Sequence, residues 1–281
     1  MREAVFVSYA RTGLAKAGRG GFNITPAMTM AAHAISSAVD KAGIEPELVE
    51  DVALGNGAHG AANLGRLAGL LAGLPVTTGG NTIQRHCSSG LNSIAVAANP
   101  LRLDGVECAV GAGVESLSIP SPGFGGAVNM DPKLTELYPA IYMAMIETAD
   151  IVAERYNVSR EYQDEYSYES QMRMARAQEN GLFEDEIVPM ATKMKLVDKE
   201  TKEESIVDYV VTGDECNRPS TTLEGLQKLQ PVRGEGNYVT AGNASQLSDG
   251  AAAVVMMSDE EASRRGIEPL GAFKGWAVAG C

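Results

Sequence analysis

Short apolar runs alternate with stretches whose apolar residues recur every three or four positions, and this alternation organises the first 117 residues. Residues 3–9 (EAVFVSY) read as a buried strand. Met28, Ala31, Ala32, Ile35, Ala38 and Val39 then form an apolar stripe at helical spacing. Thr25-Pro26 supplies the start of that helix, with Thr at N-cap and Pro in the first helical position, and Gly43 its stop. Strands over 51–55, 81–84 and 107–111 and helices over 63–73 and 88–98 continue the pattern, with Asn99-Pro100 ending or kinking the last helix. A β-α-β-α-β-α-β order of this kind predicts an α/β sheet, mainly parallel and covered by helices.

From residue 118 the pattern changes. Residues 118–130 (SIPSPGFGGAVNM) read as a Pro/Gly-rich loop. A helix is predicted over 138–156, and a second from a Ser159 N-cap to about residue 180, as read from the sequence. Residues 193–213 are charged and strand-like. The apolar run 250–258 (GAAAVVMMS) returns to a buried strand, followed by a short polar helix over 259–266 and a strand over 270–279. Residues 118–248 therefore read as an insertion that leaves and rejoins one core.

Composition narrows the function classes. The chain has 281 residues, 44% hydrophobic and 21% charged, as a soluble globular protein does. Its net charge of −13 argues against general nucleic-acid or anionic-membrane binding, while leaving room for a local cationic patch on a polyphosphate. No apolar run is long enough to span a bilayer, and the N-terminus enters a strand with no signal-like segment, so a cytoplasmic setting is expected. Cys87, Cys108, Cys216 and Cys281 are widely spaced, with no CxxC pair, which argues against a zinc cluster or a disulfide framework. His33 falls in an apolar helix and His59 in a Gly/Ala-rich turn. His86 adjoins Cys87, but neighbours on a strand end point apart, which argues against it as a catalytic base.

The junction Gln84-Arg85-His86-Cys87-Ser88-Ser89-Gly90-Leu91 carries the candidate chemistry. It sets a cysteine where a strand gives way to a helix. Unpaired N–H groups and the positive end of the dipole at a helix start favour thiolates, which is one route to a nucleophile. Cysteine is also among the most buried residue types, and the junction by itself leaves both readings open.

Further motifs follow in order: Arg11-Thr12, Gly111-Ala112-Gly113-Val114-Glu115-Ser116, Arg218-Pro219-Ser220-Thr221-Thr222-Leu223-Glu224, Thr240-Ala241-Gly242-Asn243-Ala244-Ser245 and Asp249-Gly250-Ala251. With the Cys87 segment, they resemble the thiolase family over essentially the whole chain. The resemblance implies a thiolase-like α/β fold, with an N-terminal domain over 1–117 and 249–270. It implies a CoA-binding loop domain over 118–248, and the start of the family's C-terminal domain over 271–281. It implies an acyltransferase in which Cys87 takes the acyl group from an acyl-CoA or 3-ketoacyl-CoA, with no metal or redox cofactor. Arg218 would meet the adenine end of CoA, Ser245 the pantetheine arm, and Met145 the pantetheine tunnel.

Three departures accompany the resemblance. Gly13 stands where the family commonly has Pro, and Pro100 falls in a helix the family runs unbroken. The family's second half carries a Gly-His-Pro histidine that activates the nucleophile, a Cys-x-Gly cysteine that moves a proton at the α-carbon, and an Asn-Glu-Ala segment. No Gly-His-Pro occurs in this sequence, and Cys281 lacks the glycine context. The expectation is a homo-oligomer or a partner chain supplying that half, and an isolated chain that aggregates or stays associated. The alternatives are a non-catalytic acyl-CoA-binding or assembly subunit, or a related condensing synthase. The Arg218 segment and the TAGNAS run favour a thiolase over the synthase.

Overall fold

A computed structural model describes residues 2–57, 62–119 and 130–280. His59, Cys281 and residues 120–129 of the Pro/Gly-rich loop lie outside the described residues. The chain divides into two compact units, one drawn from 1–124, 184–215 and 247–281, the other from 125–183 and 216–246.

The first unit opens with strands β1 (Ala4–Arg11) and β2 (Ala15–Lys16), then α1 (Ala27–Ala42), β3 (Asp51–Gly55), α2 (Leu64–Leu71), β4 (Asn81–Ile83), α3 (Ser89–Leu103) and β5 (Cys108–Glu115). Helices α4 (Pro132–Leu137), α5 (Met145–Arg155) and α6 (Arg160–Glu179) belong to the second unit. The hairpin of β6 (Met190–Val197) and β7 (Glu204–Val211) returns to the first, and α7 (Leu223–Gln227) to the second. Strand β8 (Ser248–Ser258), helix α8 (Asp259–Arg265) and strand β9 (Gly271–Ala272) complete the first unit.

Its sheet has the order β4-β3-β5-β8-β1-β9, with β2 paired to β8. Strands β4, β3, β5 and β1 point one way, as the alternating pattern predicts for a mostly parallel sheet. Strand β8 runs against them between β5 and β1, and β9 runs against β1. Successive side chains of β5 and β8 point to opposite faces. Val110, Val255 and Met257 pack with Met30, Ile35 and Val39 of α1. Ala109 and Met256 pack with Ala97, Ala98 and Leu101 of α3 on the other face.

Several local elements differ from the sequence pattern for identifiable reasons. Pro26, not Thr25, occupies the N-cap of α1, because the Thr25 hydroxyl is engaged with Thr192 Oγ1 of the hairpin at 2.6 Å. At the other end Gly43 takes a left-handed φ of 65° and stops the helix as expected. Helix α3 runs through Pro100 to Leu103. The proline falls near its end, its carbonyl accepts from Asp104 N–H at 3.0 Å, and continuing the helix buries Leu101 completely. The helix expected over 138–156 starts only at Met145, since Pro139 biases Tyr138 out of the helical region (φ −134°, ψ 79°). The strand expected over 270–279 is confined to Gly271–Ala272.

The charged stretch forms a hairpin because its charges pair across the strands, Lys193 with Asp208 at 2.6 Å and Lys195 with Glu204 at 3.1 Å. Met190 and Val211 are buried in the first unit's core. Arg11 anchors the flanking residues, donating from Nε to Glu186 at 2.8 Å and from Nη1 to Asp214 at 2.7 Å. Among the described residues no helix is long and apolar enough to cross a membrane.

Helix α3 lies unusually near the sheet. A side chain at Gly55 would collide with the backbone of Ser89 and Gly90, and one at Gly113 would stand 3.2 Å from Gly90 Cα. The obstructing atoms are main chain, so they yield only if the helix retreats. Gly55→Ala is expected to cost about 3 kcal/mol of stability, the upper part of the usual overpacking range. Gly271→Ala, where an added methyl meets nothing, should cost under about 0.5 kcal/mol. Urea denaturation of the two variants checks this.

Candidate active site

Between Ile83 and Ser89 the chain makes a tight turn that presents Cys87. His86 takes a left-handed φ of 46°, a conformation histidine adopts more readily than most side chains. The His86 carbonyl then accepts from both Ser89 N–H (3.1 Å) and Ser89 Oγ–H (2.6 Å). Arg85 N–H donates back to Ser89 Oγ at 2.7 Å. Ser89 is thus the buried knot of the turn, while Cys87 is exposed. Ser88 is the N-cap of α3, yet its hydroxyl goes to Arg85 O at 2.9 Å and caps none of the helix N–H groups.

Strand ends brace this turn. Asn56 follows β3 and is buried; its Nδ2 donates to Val114 O at 2.7 Å and to Glu115 Oε1 at 3.1 Å. The other carboxylate oxygen of Glu115 accepts from Gly57 N–H at 2.9 Å. Gln84 Nε2 donates to Gly57 O at 3.2 Å. The ends of β3, β4 and β5 are therefore stitched together around the cysteine turn. Nearby, buried Asp249 accepts from Leu117 N–H at 2.6 Å and Ser118 N–H at 3.0 Å, and also from the Ser118 hydroxyl.

The packed-cysteine reading describes Cys108. It is fully buried in β5, and burial pushes its thiol up to about 12. Cys87 has the access a nucleophile requires, and Cys216 is half-buried. His86 is exposed beside Cys87, and His33 sits half-buried on α1.

Met145, Arg218 and Ser245 all belong to the second unit, and all three are exposed. The segments carrying Arg218 and Ser245 are brought together there, with Gln246 Nε2 donating to Cys216 O at 2.8 Å. Arg218 N–H donates to Gln171 Oε1 of α6 at 2.8 Å. Met145 stands on the first turn of α5. Two buried carboxylates that the sequence does not single out organise this unit. Asp150 accepts from Tyr238 N–H (2.9 Å), Val239 N–H (3.1 Å) and Arg233 Nη1 (3.2 Å). Asp164 accepts from Arg160 Nε at 2.8 Å and Asn243 Nδ2 at 3.2 Å. Each lies in an acid-rich helix among exposed acids of the same kind, and only residues some 80 positions away distinguish it.

Comparison with known proteins identifies the family. Residues 4–260 match the model of the thiolase N-terminal domain. The chain is 38% identical to a 3-ketoacyl-CoA thiolase of Bacillus subtilis, covering 100% of this chain and 72% of that protein. It is 37% identical to the peroxisomal 3-ketoacyl-CoA thiolase of Homo sapiens, covering 99% and 65%. The crystal structure of the Bacillus anthracis acetyl-CoA acetyltransferase superposes with a TM-score of 0.80 at 34% identity, covering 97% of this chain and 69% of that one. The chain belongs to the thiolase family. It spans about two thirds of the length of these relatives.

Two outcomes follow from the site. Iodoacetamide should label Cys87 in the native protein and leave Cys108 unmodified until the chain is denatured, as peptide mapping by mass spectrometry will report. In the second unit, burial opposes the charge on Asp150, but its two N–H donors and Arg233 outweigh it and hold the carboxyl below its ordinary range. Its contribution is therefore complete above the unfolded value of about 3.9 and is lost as pH falls through the lower folded value. Protection of the Tyr238 and Val239 amides from hydrogen exchange should collapse over that acid range, and Asp150→Asn should flatten the dependence.

Proposed function

We propose that this chain carries the acyl-accepting centre of a thiolase-type acyltransferase acting on CoA thioesters, with Cys87 as the nucleophile. The exposed cysteine on a braced turn ahead of α3 is the observation that supports this most directly. The Cys87 sulfur attacks the thioester carbonyl of an acyl-CoA, and the carbonyl electrons move onto oxygen. Collapse of that tetrahedral oxyanion breaks the carbon–sulfur bond to CoA and leaves a thioester on Cys87. Backbone N–H groups at a helix start are suitable donors for the oxyanion. In the condensing direction, the enolate of a second thioester takes the acyl group from Cys87. In the degradative direction Cys87 attacks the keto carbon of a 3-ketoacyl-CoA, a shorter acyl-CoA leaves as its enolate, and free CoA releases the acyl group. Neither direction calls for a metal or a redox cofactor.

The second unit supplies the CoA contacts in this proposal: Arg218 at the adenine end, Ser245 along the pantetheine arm, and Met145 beside it. A planar guanidinium suits both base stacking and phosphate. The base that takes the thiol proton is assigned to a histidine outside these 281 residues, in keeping with the missing Gly-His-Pro motif. We place the protein in the cytoplasm, working as an oligomer.

Incubation with acetyl-CoA, followed by intact-mass measurement and peptide mapping, tests the reading. A single acetyl group on Cys87, absent from Cys87→Ala, is expected. CoA binding with no adduct would instead mark the chain as a binding subunit, and an adduct elsewhere would remove Cys87 from its role.

A further inference from the structure

Helix α6 is polar on nearly all sides, yet it holds a wholly buried carboxylate, Asp164. A helix of this kind is held in place by its side-chain partners rather than by an apolar stripe. Asp164 and Arg160 lie one turn apart on a face that also carries Gln171 and Gln178, at intervals of four and seven residues. All four side chains engage the 216–246 segment. Gln178 Oε1 accepts from Asn217 Nδ2 at 2.8 Å, and Gln171 Oε1 accepts from Arg218 N–H at 2.8 Å.

The Arg160–Asp164 pair branches in two directions. On one side, Arg160 Nη2 donates to the carbonyls of Leu226 and Leu229, both at 2.9 Å, at the end of α7. That helix starts at a Thr222 cap and is joined to Arg218 by a turn, Thr221 N–H to Arg218 O at 3.0 Å. On the other side, Asp164 accepts from Asn243 Nδ2, while Asn243 Oδ1 accepts from Thr240 N–H at 2.7 Å. This fixes the loop that reaches Ser245 two residues later. We infer that the pair of half-buried Arg160 and buried Asp164 is a positioning device that sets the Arg218 arm and the Ser245 loop independently for the two ends of one elongated ligand. The inference rests on the proposed function, in which that ligand is CoA.

The guanidinium reaches the carbonyl of Leu226 in α7 and that of Leu229 just beyond it while its Nε stays on Asp164, a fork that lysine cannot reproduce. Arg160→Lys therefore loosens the Arg218 arm and keeps a cation on Asp164. Asn243→Ala removes the tie to the Ser245 loop and keeps the ion pair. Asp164→Asn disturbs both. The probes are CoA, pantetheine and adenosine 3′,5′-bisphosphate, with binding followed by calorimetry and ligand-observed NMR on the full chain, folded state checked by circular dichroism.

The expected result is a split. Arg160→Lys weakens the adenosine probe at least about fivefold and leaves pantetheine within about twofold, Asn243→Ala does the reverse, and Asp164→Asn weakens CoA at least about tenfold, the scale of a lost hydrogen bond. Equal losses for both probes in each single-arm variant, or no loss, would overturn the inference and reduce the pair to a structural role. Should Asp164→Asn fail to fold, the two single-arm variants still decide. Failure of the unaltered chain to bind any of the three probes would remove the functional reading itself, and the inference with it.

Discussion

Nothing larger than hydrogen fits between the end of β3 and the start of α3, and this exclusion governs the geometry around Cys87. Gly55 lies against the backbone of Ser89 and Gly90, and Gly113 of β5 against Gly90. With main chain on main chain, the helix start has no freedom to slide or tilt. The turn preceding it is then fixed at both ends, by β4 before it and by Ser89 behind it. Glu115 at the end of β5 and Asn56 just after β3 complete the bracing. A side chain can stand exposed to water and still be held in place when the rigidity resides in the backbone beneath it.

The second unit meets the same need by other means. Its helices bury little, and α6 buries only Asp164 and Ala175. Its order comes from two carboxylates taken out of water and satisfied by donors brought largely from the 216–246 segment, with Arg160 of α6 itself completing the shell of Asp164. Such pairs add little net stability, because desolvation offsets attraction, but breaking one leaves an unpaired buried charge. They therefore specify one arrangement of the loops more strongly than they stabilise the unit as a whole.

These two strategies differ in how far they can be read from sequence. The alternation of apolar periods reveals the strands and helices of the first unit, and Gly43 marks the end of α1, because these are local effects. The Arg218 and Ser245 segments stand out by motif. Cys108 falls inside a strand that the apolar pattern predicts, whereas Cys87 stands among polar neighbours at a strand–helix junction; the path of the sheet then buries the first completely and leaves the second in water. Asp150 and Asp164 are indistinguishable in sequence from the solvated acids beside them, since the partners that accompany their burial, Tyr238, Val239 and Arg233 for one and Asn243 for the other, arrive from a distant segment. Thr25 and Pro100 mislead for a related reason, as each follows its tertiary neighbours in preference to its own propensity.

Strand β8 lies between β5 and β1, pairing with both over most of its length, although some 130 residues separate it from β5 and some 240 from β1. As the chain leaves the ribosome, β1 and β5 therefore wait with open edges while all the intervening sequence is made. Open edges of this kind invite pairing with other chains, and long-range pairing is slow to form. The order of synthesis and the order of assembly are opposed, so the sheet cannot close until one of its last-made strands enters the middle. The exposure of this sheet is therefore greatest during synthesis, when two strand edges stand open and the strand that covers both has yet to be made.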